Sequence, residues 1–144
     1  MIEIRHHSFD PWIEIADYRN QHDSLGSKAG ACASFVGTMR DFNEDDTVIS
    51  MELEHYPGMT ERQLEQIVND SCEGHDILSS LVLHRVGVIT PGDDIVLVAV
   101  WSAHRRSAFI VCRAIMEALK SRAPFWKKET LVDGSRWVEK NTAG

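Results

Sequence analysis

The run Ile95-Val96-Leu97-Val98-Ala99-Val100-Trp101 contains no polar position. A strand with one face in water alternates apolar and polar residues, so a strand that is apolar throughout belongs at the centre of its sheet. The rest of the chain has to pack around it. Directly after this run, Ser102 reads as the cap of the longest helix, Ala103 to about Ser121. The apolar face of that helix includes Phe109, Cys112, Ile115, Met116 and Leu119. Pro124 cannot continue the helix, because it has no N–H to donate.

The remaining elements arrange themselves around this strand and helix. Ile2 to Arg5 alternates as a short strand. Asp10-Pro11 reads as the cap and first residue of a short helix carrying Trp12, Ile13, Ile15 and Ala16. Asn20 to Gly30 is polar and holds two glycines, the composition of a loop. Ala31 to Met39 reads as a buried strand ending at Arg40, Asp41 to Asp46 as an acidic loop, and Val48 to His55 as a half-buried strand. After the turn Tyr56-Pro57-Gly58, Thr60 and Gln63 have capping-box spacing ahead of a helix bearing Leu64, Ile67, Val68 and Cys72. Ile77 to Val88 reads as a strand bent at Gly87, and Thr90-Pro91-Gly92-Asp93 as a type II turn. Gly134 breaks the tail before a last short strand, Arg136 to Glu139. Strands and helices mix without strict βαβ alternation. The expected class is therefore α+β with a mixed or mainly antiparallel sheet, in one domain spanning residues 1–144.

Composition excludes several kinds of function. The net charge is −7 and the pI about 5.4, which argues against a general nucleic-acid binder, since that needs a broad basic face. No apolar run approaches the roughly 20 residues that span a bilayer, and Met1 to Asp10 lacks the apolar core of a signal peptide. Cys32, Cys72 and Cys112 are far apart with no CxxC spacing, so they read as structural thiols in a reducing, cytoplasmic setting. The seven histidines show no HExxH and no Cys/His pairs at zinc spacing, so no metal site is expected. P-loop, GxGxxG and GxSxG patterns are all lacking.

What remains is concentrated positive charge. Lys120, Arg122, Lys127 and Lys128 crowd around Pro124-Phe125-Trp126, and His104-Arg105 opens the long helix. Crowded ammonium groups repel one another unless an anion faces them, and each lowers its neighbour's pKa. That is one route to an amine able to act near neutral pH. The plainer reading is a helix that ends in a solvated basic turn. Cations at a helix N-terminus oppose the dipole, but with the free N–H groups they make an anion site. Arg105 and Lys120 are fifteen residues apart on one helix, about 22 Å at 1.5 Å per residue. That exceeds a small metabolite. Either two copies of the chain pair their helices so that one N-terminus meets the other's C-terminus, or the two ends are separate sites.

Several segments together resemble the large, catalytic subunit of molybdopterin synthase, the MoaE family. They are Leu53 to Glu61, His84-Arg85 with Gly87, Pro91-Gly92-Asp93, Ser102-Ala103-His104-Arg105 with Ala108-Phe109, Lys120 to Glu129, and Trp137-Val138-Glu139. They follow the family's order and spacing from about residue 30 to residue 139, while the first thirty residues match only loosely. The resemblance implies an α/β hammerhead-like fold with an added small antiparallel subdomain. It implies sulfur transfer to cyclic pyranopterin monophosphate, forming the dithiolene of molybdopterin. The sulfur arrives as a thiocarboxylate on the C-terminal Gly-Gly of a small ubiquitin-like subunit, so no cofactor of the chain's own is expected. It further implies a homodimer of large subunits within a heterotetramer. By position Lys120 and Lys127 match the family's catalytic lysines, with Lys120 nearest the thiocarboxylate carbon and Lys127 binding substrate or assisting proton transfer. Arg40, His104, Arg105 and Lys128 are the corresponding substrate-binding candidates. Phe35, Met116, Phe125 and Trp126 are either apolar walls or plain core, and His55 and Tyr56 read as structural. Two rivals stand beside this: a non-catalytic dimeric module that binds the small subunit, and an unrelated phosphate-ligand enzyme using His104 as base. The acidic stretch Asp41 to Asp46, next to Arg40, has no role that the sequence explains.

Overall fold

The computed structural model describes residues 1–139. The apolar run lies in β7 (Asp94–Ser102), which sits between β5 (Ile77–Arg85) and β2 (Ala31–Thr38), antiparallel to both. β1 (Ile2–Arg5) completes this four-stranded sheet by pairing in parallel with β5. Successive side chains of a strand point to opposite faces, and β7 uses both. Val96, Val98 and Val100 pack with Leu64 and Ile67 of α3 (Met59–Cys72) and with Val111 and Ile115 of α4 (Arg105–Arg122). Leu97, Ala99 and Trp101 face the other way, against Tyr18 of α1 (Pro11–Gln21) and Leu25 of α2 (Asp23–Lys28). Helices therefore cover both faces, as a strand without polar positions requires.

A second, smaller sheet is wholly antiparallel. Its centre is β4 (Asp46–His55), paired on one edge with β8 (Phe125–Leu131) and on the other with β6 (Gly87–Ile89). β3 (Phe42–Asn43) forms a hairpin with β4, and β9 (Gly134–Trp137) extends the sheet beyond β8. Met39, Val48, Met51, Leu53, Val86 and Ile89 form the core under it. The chain steps from the first sheet to the second at Gly87, whose φ of +94° is open to glycine at little cost. The expected bend at Gly87 is thus a change of sheet. The α+β class with an added antiparallel sheet is what the structure shows.

Several local expectations are corrected. Asn20 to Gly30 is mostly helical, because Leu25 is buried against the Trp101 cluster and holds α2 down despite its polar neighbours. Gly58, not Thr60, precedes α3, and its N–H donates to the Glu61 carboxylate. Thr60 is buried in a different role, described below. The cap of α4 is His104, and Ser102 instead donates its hydroxyl to the His104 carbonyl. Phe109, expected on the apolar face of α4, is 65% exposed in the isolated chain. The last strand begins two residues earlier than expected, at Gly134. The largest omission is β8: Phe125 to Leu131 reads locally as a basic turn, yet it is a seven-residue strand.

Leu97 is fully buried in the central strand. Leu97→Ala should lower the unfolding free energy by about 2–5 kcal/mol through lost burial and a residual cavity, read by urea unfolding. Phe109→Ala should change the monomer's stability by no more than about 0.5 kcal/mol.

Candidate active site

Two hydrogen bonds fix how the end of α4 meets the second sheet. The Thr60 hydroxyl donates to the Pro124 carbonyl (3.2 Å), and its oxygen accepts the Tyr56 N–H (2.9 Å). Phe125 N–H donates back to the Ala123 carbonyl (2.9 Å), so the chain turns sharply between Lys120 on the last turn of α4 and Lys127 on β8. The register of β8 on β4 then decides which way each lysine points. Lys127 lies opposite Leu53, a buried position, and Lys128 opposite Glu52, an exposed one.

Lys120 and Lys127 share a cleft of about 670 Å³ with Arg40, Phe35, Met116 and Phe125. The two amines are in hydrogen-bonding contact. An ammonium group has three donors and no acceptor, so that contact is favourable only when one amine is neutral. Lys127 is the one that gives way. Its pKa is lowered to about 8, first by burial, then by the charge of Lys120 and their hydrogen bond, while Glu129 opposes the shift. At neutral pH a fraction of Lys127 is therefore a free amine, able to take a proton from a reacting group.

Arg40 reaches this cleft through a built turn. The Asp93 carboxylate accepts the Thr90 N–H (2.9 Å), the Thr90 hydroxyl (3.1 Å) and the Arg85 guanidinium (3.2 Å). The turn so held exchanges two backbone hydrogen bonds with Met39, each 2.9 Å. Arg40 follows at once, exposed, its guanidinium 4.7 Å from the Phe42 ring centre. The acidic stretch now has an explanation. Glu44 and Asp45 form the tip of the β3–β4 hairpin with φ of 51° and 65°. Arg136 pairs with Asp46 (2.7 Å), Glu44 (3.7 Å) and Glu129 (3.1 Å), and Asn43 also donates to Glu129. Glu44, Asp46 and Glu129 thus face Arg136.

Of the residues singled out from sequence, Lys120, Lys127 and Arg40 come together, with Phe35, Met116 and Phe125 as walls. Lys128 does not join them. Neighbours on a strand face opposite sides, and its amine lies 5.7 Å from the Trp137 ring on the outer face. Trp126 also faces outward, edge-on to Tyr56 at 5.1 Å. His104 and Arg105 are exposed at the far end of α4, so the 22 Å separation holds within one chain. His55 is tied to Glu61 (3.6 Å) and to the His6 ring, a structural placement. Sequence reasoning assigned no role to His84, which is buried in the cleft wall and stacks on Phe125 at 3.8 Å. Its signal was a polar residue at the end of the apolar run Leu81-Val82-Leu83. Burial raises the pKa of all three cysteines, that of Cys112 to about 11, so none is poised as a sulfur nucleophile. Among the described residues no group of His, Cys, Asp and Glu is arranged to hold a metal, and no helix is long and apolar enough to cross a membrane.

The family model described as "MoaE protein" matches residues 10–122. The chain belongs to the MoaE family. Among its relatives, the molybdopterin synthase catalytic subunit of Ralstonia nicotianae is 50% identical over 96% of this chain and 76% of its own length. The MoaE protein structure from Burkholderia ambifaria superposes with a TM-score of 0.80 at 44% identity, covering 100% of this chain and 92% of that one. The molybdopterin synthase structure from Staphylococcus aureus gives 0.82 at 30% identity, over 94% and 95%. The structural matches extend past the family model's last matched residue and take in the described part of the second sheet.

A lysine whose folded pKa lies below its unfolded value destabilises the fold while it is charged. For Lys127 that cost is complete below about pH 8 and fades as pH rises towards 10.5. At about 1.36 kcal/mol per unit it is on the order of 3 kcal/mol. In this MoaE-family chain, Lys127→Met should therefore raise the melting temperature at pH 7, with the gain shrinking as pH rises from about 8 towards 10.5. A Met variant less stable than the parent at pH 7 would contradict the burial described here.

Proposed function

We propose that this chain is the sulfur-transferring catalytic subunit of a molybdopterin synthase. It moves sulfur from the C-terminal thiocarboxylate of a small ubiquitin-like subunit to cyclic pyranopterin monophosphate, forming the dithiolene. The observation that carries this reading is the coupled Lys120–Lys127 pair in a cationic cleft, in a chain half identical to a relative named as that enzyme. The substrate's phosphate suits a local cluster of cations on a chain of net charge −7. The raised thiol pKa values suit a reaction whose sulfur is delivered by a partner. Free cysteines suit a cytoplasmic setting.

In this reading the cleft, lined by Phe35 and Gly37, admits the partner's extended Gly-Gly tail. Lys120 stands nearest the thiocarboxylate carbon and stabilises the charge that develops there. Lys127, with its lowered pKa, takes up or returns the proton. Arg40 holds the anionic substrate. The carrier tail leaves as a carboxylate, with water supplying the oxygen that replaces each transferred sulfur. His104 and Arg105 complete the pocket from a second copy of the chain, since their own α4 carries them about 22 Å away. Lys128, on the outer face, has no part in binding substrate.

Lys120→Ala should abolish transfer while the chain stays folded, because an exposed residue on a last helical turn adds little stability and Ala suits a helix. Lys120→Arg should fail as well, since a longer, planar guanidinium cannot take the place of a compact ammonium beside the thiocarboxylate carbon. The assay is turnover with a thiocarboxylated small subunit. Normal rates in either variant would remove Lys120 from the chemistry, and tail binding without turnover in the parent chain would favour a non-catalytic module.

Mixed dimers test the shared pocket. An Arg105→Ala chain and a Lys120→Ala chain, each inactive alone, should together recover about half the activity per heterodimer, because one pocket receives both defects and the other neither. No recovery on mixing would place each site within one chain.

A further inference from the structure

His84 is a buried polar residue with no part in the reading above. Its Nδ1 lies 2.9 Å from the Arg85 carbonyl oxygen. A carbonyl can only accept, so Nδ1 carries the proton and the neutral ring keeps a bare Nε2. The ring stacks nearly parallel on Phe125, 13° between planes and 3.8 Å between centres. Phe125 is two residues from Lys127 on β8 and therefore faces the same side of the sheet. His84, Phe125 and Lys127 line one wall of the cleft. On the other side of the stack, β5 holds His84 opposite Val96 of β7 and opposite Ile4 of β1, which fixes its backbone on both edges.

We propose that His84 is a positioning residue for Lys127: its neutral ring, clamped to the Arg85 backbone, supports Phe125 and keeps water from the side of the cleft where the Lys127 amine lies. A histidine suits this place for a physical reason. Phenylalanine would stack but leave the Arg85 carbonyl without this donor, and a charged ring would add a cation beside two lysines. The ring stays neutral at any working pH, because burial and the nearby charges of Lys127, Lys120 and His55 outweigh its backbone bond and lower its pKa to about 3. The other charged groups around Lys127 are Lys120, Arg113 and Glu117 on α4, Arg40 after β2, and Glu129 on β8. The inference rests on Lys127 belonging to the sulfur-transfer site, but its test needs no turnover and stands apart from that reading.

The test is competitive acylation with acetic anhydride across pH, with the Lys127 peptide quantified by mass spectrometry, on the full chain without substrate. In the parent chain Lys127 should titrate near 8. In His84→Ala the stack is lost, water reaches the amine, and the titration should move up by about one unit or more towards the ordinary lysine value. In His84→Phe, which keeps a stacking ring, it should stay within a few tenths of the parent. Phe125→Leu removes the same stack from the other side and should behave like His84→Ala, so it reads the proposal even if His84→Ala does not fold. An unchanged Lys127 titration in a folded His84→Ala or Phe125→Leu chain overturns the proposal, as does a shift in His84→Phe as large as that in His84→Ala. A merely structural histidine would lower the melting temperature in all three variants without sorting them by ring stacking.

Discussion

Two ammonium groups cannot be held together in a half-buried cleft unless the fold forces them, and here a short joint does so. Pro124 ends α4, and the Thr60 hydroxyl bonded to its carbonyl holds the joint from which β8 begins. From that joint, Lys120 hangs on the last helical turn and Lys127 is carried in by a strand locked onto β4. Burial first, and then the charge of Lys120, makes a proton leave Lys127 more readily than it leaves an ordinary lysine. The reactive character of the site is thus the same physical quantity as the strain of burying a second amine. The core beneath it, the doubly covered β7, supplies the stability that tolerates this cost.

Charge is distributed to the same end. The chain is acidic overall, and Glu117 lines the cleft beside Arg113 (3.7 Å), but several other nearby carboxylates are occupied elsewhere. Glu129 is held by Asn43 and Arg136, and Glu44 and Asp46 also turn to Arg136. Asp93 is spent on the turn that places Met39 and hence Arg40. The result is a small cationic opening on an acidic surface. Such an opening draws in a small anion without making the whole protein sticky to polyanions.

Much of this was legible in the sequence, for identifiable reasons. β7 and α4 announce themselves through unbroken apolarity and 3.6-residue periodicity. The 22 Å between Arg105 and Lys120 follows from helix geometry alone. The resemblance to the MoaE family then attached roles to residues that spacing could only mark as a basic cluster. What the sequence hid depended on tertiary pairing. Phe125 to Leu131 is polar and basic in its middle, and only the register against β4 makes it a strand and sends Lys127 and Lys128 to opposite faces. Adjacency in sequence does not show which face Lys128 takes, and only the pairing places its amine outside the cleft, near Trp137. The acidic stretch was unreadable because its partner, Arg136, lies about ninety residues away. His84 stands in a segment that carries the resemblance, but its place in the cleft wall is invisible in the sequence because its stacking partner arrives from another sheet.

The central claim is that the burial of Lys127, with Lys120 beside it, leaves one amine of the pair partly deprotonated near neutral pH. The most direct measurement is a pH titration of the lysine Nζ resonances by nitrogen NMR in chain labelled at lysine side chains. The account predicts one resonance titrating near pH 8, well below the others, and absent from a Lys127→Met sample. If every lysine titrates together near the ordinary 10.5, the amines are not coupled in a dry cleft, and the chemistry assigned to them does not follow from this fold.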